Sequence, residues 1–429
     1  MKKKITDKSH LDMYQWMKDL FPYCRSITGD GIRYSLEYFE KINPEFKRIK
    51  FKSGTKVFDW VIPKEWNIRD AYIEHEKSKK KFARLKDNNL NIVGYSIPRN
   101  IKIKKKELLK KIHTLKNQPT AIPYVTSYYN KDWGFCMSEK NKKKLPEGTY
   151  KVFIDSELKK GTLDLSHALI RGNSKKEIFF SSYLCHPSMA NNELSGPVVL
   201  NKLMQFIKFN FKKLNYSYRF VLLPETIGSI SYLSKYKDYL KKNVICGYNL
   251  TCLGDKGDFS LIESRKGNSL ADIALESSLK EKKKFNKFSY LNRASDERQY
   301  CSPGIDLPLC SFSRNLNFKE YHTDQDNLDI VSQKNLDQSL NILKNIVTAF
   351  ELGLFPKTKV LCEPNLGKRG LYPLLSKKNN HNDTIKLRLD LLSFSDGKKS
   401  IFEICNIIKQ PLSKIIYQYK ILKKHKLIN

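Results

Sequence analysis

Acidic side chains are scarce in this 429-residue chain: 44 Asp and Glu stand against 79 Lys and Arg, a net charge of +35. An excess of that size suits nucleic acid, an anionic membrane surface or an acidic substrate. The basic residues are mostly Lys, however, and run the whole length among Asn and Ile, which reads as general composition rather than a basic groove. Long apolar runs are missing too. Nothing approaches the ~18 residues of a membrane span, and MKKKITDKSHLDMYQW is charged from its start with no apolar run behind it. Neither a span nor a secretory signal is expected, and the chain reads as cytosolic. Gly (19) and Pro (16) are few and 40% of residues are hydrophobic, so collagen-like, low-complexity and disordered classes are excluded. The nine cysteines are odd in number and scattered, with no C-x-x-C pair; disulfide scaffolds and zinc ribbons are excluded with them.

What is present falls into segments. Residues 10–45 read as an amphipathic helix, with Leu11, Tyr14, Met17 and Leu20 at helical spacing, a turn at Thr28-Gly29-Asp30-Gly31, and a second helix through Tyr34–Ile42. Residues 46–159 read as mostly β, with Trp60, Trp66 and Trp133 in the core unless the insert forms a lid over the cleft, and one exposed helix in the Lys-rich IKIKKKELLKKIHTLK. From about 160 to 352, strands (EIFFSSYLC, YRFVLLP, VICGYNLTCLG) alternate with helices, which predicts an α/β domain on a mostly parallel sheet. Residues 353–380 form a linker. The tail, 381–429, has the three-helix pattern of a winged-helix module, with Ser400 capping the second helix and Pro411 near the first turn of the third. From 357 onward it carries 16 basic against 5 acidic residues. Its third helix would read DNA if DNA is bound, while such modules also dock proteins; both readings stay open.

Chemistry-bearing residues follow the strands. His186, at the end of EIFFSSYLC, precedes Asn191, Asn192 and Glu193, and polar groups at the carboxyl edge of an open α/β sheet are where such folds place their sites. Imidazole and carboxylate within ten residues suit a metal site. Glu225 repeats the position after YRFVLLP, as a general base, a metal ligand or a helix-capping carboxylate. NRASDERQY contributes Asp296 and Glu297, and KEYHTDQDNL contributes His322. Arg25 and Arg298 suit a grip on an anionic group or a structural ion pair. Cys185 sits in a buried strand and reads as an inert small hydrophobe.

In order, His186, ANNELSG, PETIGS, NLTCLG, SDER and EYHTD resemble the co-catalytic zinc exopeptidases, a group that includes bacterial aminopeptidases, glutaminyl cyclase and the metal-free transferrin receptor ectodomain. Longer phrases, FPYCRSITGDG, CHPSMANNELSG, SDERQYCSPG and CEPNLGKRGLYP, are similar to a bacterial subfamily of uncharacterised aminopeptidase-like proteins with a C-terminal winged helix. The resemblance implies a zinc-exopeptidase-like α/β domain made of 1–45 and 160–352, a small β-rich domain inserted at 46–159, and a winged helix at 381–429. It also implies a setting near surface-polysaccharide genes and hence an amide-bearing sugar as substrate.

Three departures stand against that pattern. Asn192 replaces the Asp that bridges two zincs, Thr226 the second Glu of a pair, and Thr251 an Asp ligand. Neutral side chains neither offset the charge of two ions nor supply strong oxygen ligands. Two outcomes are open. Glu193 swings in to complete a single-zinc site with His186 and His322, Glu225 acting as the catalytic base and Asp296 orienting the substrate amine or a His, with Asn192, Arg298 and Arg25 holding substrate. Alternatively, catalysis is lost and the pocket binds an amino-acid-like ligand; a further reading makes the chain a winged-helix regulator with the peptidase-like domain as its sensor. The partner expected is a small or peptide-like substrate; nucleic acid at 381–429 and self-association into a homo-oligomer stay open.

Overall fold

Glu177–Tyr183 is buried at each of its seven positions, and so is Ser217–Leu223 beside it, the pattern of strands covered on both faces. The structure, a computed structural model, describes residues 12–282, 284–372 and 381–429. The sequence-expected features within 1–11 and 373–380, the charged start and the end of the linker, lie outside these described residues. An eight-stranded sheet runs in the order Lys47–Lys52, Thr162–Ile170, Ser217–Leu223, Glu177–Tyr183, Val244–Leu250, Leu309–Ser313, Phe259–Ile262, Phe285–Phe288. Its four central strands are mutually parallel. The flanks are mixed: Lys47–Lys52 and Thr162–Ile170 pair antiparallel, as do Phe259–Ile262 and Leu309–Ser313, whereas Phe285–Phe288 closes the other edge parallel to Phe259–Ile262. The expectation of a mostly parallel sheet therefore holds at its centre and only in part at its margins, where an antiparallel outer strand needs no helical crossover and can leave one side to water. Lys47–Lys52 (KRIKFK) shows this, keeping only Ile49 buried and putting charge along the edge.

Helices Ser195–Asn210 and Leu270–Leu279 pack on the sheet, and the long helix Gln333–Gly353 packs against both. The second helix starts at Asp30, earlier than the sequence suggests, with Gly29 at φ +95° as its cap. Only glycine tolerates that place: a Cβ would stand 2.2 Å from the Trp66 carbonyl oxygen.

Between the first two strands of the sheet the chain builds a second, four-stranded antiparallel sheet, in the order Lys81–Phe82, Glu65–His75, Thr149–Lys159, Arg99–Lys104. It has its own apolar core around Ile73, Phe135, Tyr150 and Val152, which takes in Trp133. Trp66 is buried against Tyr95 instead. Trp60 is 39% exposed, so the core role expected of it is wrong. The Lys-rich stretch is likewise not one helix: Arg99–Lys104 is a strand on Thr149–Lys159, followed by a five-residue helix, Lys105–Leu109. Ladder hydrogen bonds to a partner 50 residues away override the helical propensity of lysine there.

The tail forms helices His381–Phe394, Ile401–Ile408 and Leu412–Lys424. Ser400 and Glu403 make a reciprocal capping box. Leu412, Ile415, Ile416, Tyr419 and Leu422 are buried in a core continuous with that of the large domain, and Phe402 packs on Phe350 at 5.2 Å between ring centroids.

Candidate active site

Two neighbouring parallel strands end in register, Tyr183 beside Leu223, and the Leu184 amide extends the ladder by donating to the Leu223 carbonyl at 2.8 Å. The chain then turns upward from both, so His186 and Glu225 stand side by side, with His186 Nε2 3.8 Å from Glu225 Oε2. His322 comes from the loop after Leu309–Ser313. Its backbone is left-handed at φ +56°, a conformation a non-glycine residue keeps only when its surroundings hold it. The hold is visible: the Tyr124 amide of the insert donates to the His322 carbonyl at 2.9 Å, and Tyr321 stacks on the imidazole at 3.9 Å. The His186 and His322 rings lie 5.4 Å apart. All three side chains line a cavity of about 380 Å³ that Trp60, Tyr124, Tyr128 and Tyr129 close from the insert side.

The imidazole of His186 is fixed from behind. Its Nδ1 donates to Glu193 Oε2 at 2.7 Å, which leaves Nε2 facing the cavity. Glu193 is fully buried, and its other oxygen lies 3.8 Å from Arg25 Nε. Arg25, also buried, donates to the carbonyls of His186 (3.0 Å) and Leu20 (2.6 Å). Thus Glu193 stands on the far side of the ring from the cavity, and Arg25 lies deeper still, out of reach of a cavity ligand. Burial disfavours the imidazolium of His186, but Cys185 and Glu193 outweigh it and hold the pKa well above its ordinary value. His322 goes the opposite way: burial, helped by the charge on His186, pushes it down to about 3. It is therefore neutral, and its Nε2 is buried with no hydrogen-bond partner among the described residues.

Ser295 Oγ donates to Glu225 Oε1 at 2.7 Å and so aims Oε2 at His186. Asp296 Oδ1 accepts from the Thr226 amide (2.8 Å) and Ser229 Oγ (2.7 Å), while Oδ2 has no partner among the described residues. Burial raises the pKa of both carboxyls; His186 and Ser295 draw that of Glu225 back down, while the charge on Glu225 adds to burial in pushing Asp296 up to about 8. Thr226 has φ +63°; Arg298 Nη2 donates to its hydroxyl at 3.1 Å and Arg298 Nε to the Ser295 carbonyl at 2.9 Å. Arg298 thereby braces the strained turn that carries Glu225. Asn192 lies beneath the cavity, its Oδ1 accepting from the Tyr183 hydroxyl at 2.8 Å, and that hydroxyl also bonds Thr251 Oγ1 at 2.5 Å.

The sequence reading missed Asp326, which accepts from the amides of Ala190, Asn191 and Asn192 at 3.2, 2.6 and 2.9 Å and so shapes the loop between His186 and Glu193. An acid four residues after His322 was there to be noticed. Tyr124 and Tyr128 left no local signal, because only the fold brings the insert over the sheet edge.

A family model described as a domain of unknown function, DUF4910, matches residues 14–352. The chain belongs to the DUF4910 family. A winged helix-turn-helix model matches residues 354–429. A Clostridium acetobutylicum protein, provisionally named a polysaccharide biosynthesis protein with an aminopeptidase-like domain, is 39% identical over 402 residues, covering 92% of this chain and 90% of that protein. A crystal structure from the same organism, provisionally titled a peptidase, superposes with a TM-score of 0.89 at 35% identity, covering 97% of this chain and 95% of that one. A zinc aminopeptidase from Bacillus subtilis gives a TM-score of 0.58 at 13% identity over 80% of this chain and 95% of its own; that likeness shows the aminopeptidase-like fold alone. Among the described residues no helix is long and apolar enough to cross a membrane.

The donor set of this DUF4910 chain decides how many metal ions it fits. A second ion in the place the exopeptidase resemblance implies would meet Asn192, Thr251 and the Tyr183 hydroxyl, all neutral and already bonded to one another. Two ions do not fit. His186, Glu225 and His322 line one cavity, but only His186 Nε2 and Glu225 Oε2 stand close, at 3.8 Å, so a single ion there would need His322 Nε2 to draw in. Cys185, His186 and Glu193 also hold ligand atoms within 4.8 Å of one another, but His186 Nδ1 is engaged by Glu193, and burial pushes the Cys185 thiol up to about 11. That trio acts as a hydrogen-bonded support behind the ring.

Proposed function

We propose that the cavity is the active site of a zinc-dependent amide hydrolase of aminopeptidase type, acting on a small or conjugated substrate with a free amino group. His186, on giving up its Nε2 proton, and His322 would hold one zinc ion, with Glu225 beside them and Glu193 fixing His186 through Nδ1. Bound there, zinc supplies Lewis acidity, polarising a carbonyl and making water a stronger acid. Glu225 takes the proton from the attacking water and returns it to the leaving amine. Ser295 keeps one oxygen of Glu225 engaged so that the other carries the proton, and Asp296, buried behind Glu225 and outside the cavity lining, holds the Thr226 turn through its amide and Ser229. The aromatic residues of the insert narrow the approach to the cavity and lower the local dielectric around Glu225 and the two histidines. The observation that carries this reading is the buried, neutral, unpartnered Nε2 of His322 opposite His186 and Glu225. The printed name of the Clostridium acetobutylicum relative mentions polysaccharide biosynthesis, which supports an amide-bearing sugar among the substrates.

The test is elemental analysis of the purified chain beside His186→Ala/His322→Ala, followed by an amide-substrate screen with Glu225→Gln. About one zinc per chain, lost in the double variant, with hydrolysis abolished by Glu225→Gln, is the expected result. The neutral Tyr183–Asn192–Thr251 network favours a second reading, a pseudopeptidase that binds an amino-acid-like ligand without cutting it. Metal-free protein after purification in zinc would move the conclusion there.

A further inference from the structure

At the cavity mouth the insert sends out a short hairpin, Lys56–Val57 paired with Trp60–Val61, turned by Phe58 and Asp59. Two-residue hairpin turns favour Asn, Asp or Gly where φ is positive. Here Phe58 takes that place at φ +54° and is 49% exposed. An aromatic residue there is disfavoured twice, by its backbone and by its contact with water, and such outliers concentrate where a ligand binds. Trp60 follows, with its ring 6.0 Å from that of Tyr129, itself 51% exposed.

Trp60 belongs to two concavities. One face lines the cavity of His186, Glu225 and His322. It also lines a neighbouring groove of about 380 Å³, walled by Phe58, Trp60 and Ile305 with Lys237, Gln299 and Ser302 among its polar groups. Both volumes are within the range of small-molecule sites, roughly 300–1,000 Å³. The groove carries one acid, Asp59, and one base, Lys237, so it selects neither an anion nor a cation. Aromatic faces beside neutral hydrogen-bonding groups match a neutral ring with one apolar face and a rim of hydroxyls.

We infer that the Phe58–Trp60 hairpin is a sugar-binding subsite, on which a pyranose ring stacks while an amide on the same molecule reaches into the cavity. The inference rests on the hydrolase reading for the fate of the amide, but the stacking contact needs no metal. It makes the insert the element that selects the substrate.

Trp60 reports on itself. The other tryptophans, Trp16, Trp66 and Trp133, are buried, so a change in emission on ligand addition comes from Trp60. The full-length chain is titrated with di-N-acetylchitobiose and, separately, with leucinamide, each with zinc and after chelation. The expected result is a saturable change with the disaccharide that survives chelation, vanishes in Trp60→Phe and weakens roughly 3–10-fold in Phe58→Ala. No response to the disaccharide, or an equal response to leucinamide, overturns the subsite. Hydrolysis is followed separately as ammonia release from leucinamide with zinc present, because the disaccharide carries no free amino group. Disaccharide binding without ammonia release leaves the subsite standing and counts against the hydrolase; ammonia release with Trp60 silent toward the disaccharide does the reverse.

Discussion

Removing the Glu193 carboxylate tests the support behind His186. The Arg25 and Glu193 side chains are both fully buried, 3.8 Å apart. At that distance two unit charges attract by about 4 kcal/mol at an effective dielectric of ~20. Glu193→Ala leaves a buried guanidinium facing no carboxylate, a change that costs about 3–5 kcal/mol, and strips the acceptor from His186 Nδ1. The two losses share one carboxylate and do not add in full. Set against a typical stability of ~5–15 kcal/mol, the variant should fold with a sharply lowered urea midpoint. Glu193→Gln, which keeps an acceptor for Nδ1 and removes only the charge, should lose less. The assay is urea denaturation of metal-free protein for the wild type, Arg25→Met, Glu193→Ala and the double variant, with a coupling of at least ~2 kcal/mol expected. Zinc affinity, read by a competing chromophoric chelator, should fall ~10–100-fold in Glu193→Ala, as for other partners of metal-binding histidines. A loss under ~1 kcal/mol in Glu193→Ala, or single effects that simply add, would refute the reasoning.

Restoring carboxylates by Asn192→Asp, Thr226→Glu and Thr251→Asp together should raise bound zinc from about one to about two ions per chain by elemental analysis; the single changes should not. His167, outside the site, has its pKa pushed down to about 4 by burial and by Arg219 and Lys235. Its unfolded form therefore takes up a proton that the folded form refuses as pH falls from about 6.5 to about 4, so stability drops through that window, and His167→Gln should flatten the fall in urea midpoint. Gly353 has φ +142°, and a Cβ there would stand 2.5 Å from the Tyr419 hydroxyl oxygen; Gly353→Ala should cost about 1–3 kcal/mol by thermal denaturation, whereas Gly304→Ala, open around its Cβ but with positive φ, should cost less.

The sheet-edge residues were legible because a buried strand announces itself by an unbroken run, and a polar group straight after it has few places to go. EIFFSSYLC-His186 and YRFVLLP-Glu225 are both of this kind, and parallel register then brings them together without further information. Glu193 was legible as a residue of the site but not in its placement. Whether a side chain seven positions after His186 reaches Nε2 or Nδ1 depends on the loop that Asp326 gathers from 134–136 residues away. The insert's contribution was hidden for a similar reason: Tyr124 meets His322 across 198 positions through one backbone hydrogen bond, and no periodicity records that. Trp60 misled because tryptophan is buried on average, and a hairpin tip that displays one is an exception only the tertiary structure reveals.

The tail bears on the excess of positive charge. In a helix-turn-helix the start of the third helix enters the major groove. Here that start is docked: the Ser413 amide donates to Glu281 Oε1 at 2.8 Å, Lys280 Nζ donates to Asn406 Oδ1 at 2.8 Å beside it, and Lys423 Nζ at the other end donates to the Leu352 carbonyl at 2.8 Å. The same helix buries Leu412, Ile415 and Tyr419 in a core shared with the large domain. The opposite face of the helix, with Ser413, Lys414, Tyr417 and Lys420, is exposed, so one face clamps the end of Gln333–Gly353 while the other is left as a basic surface.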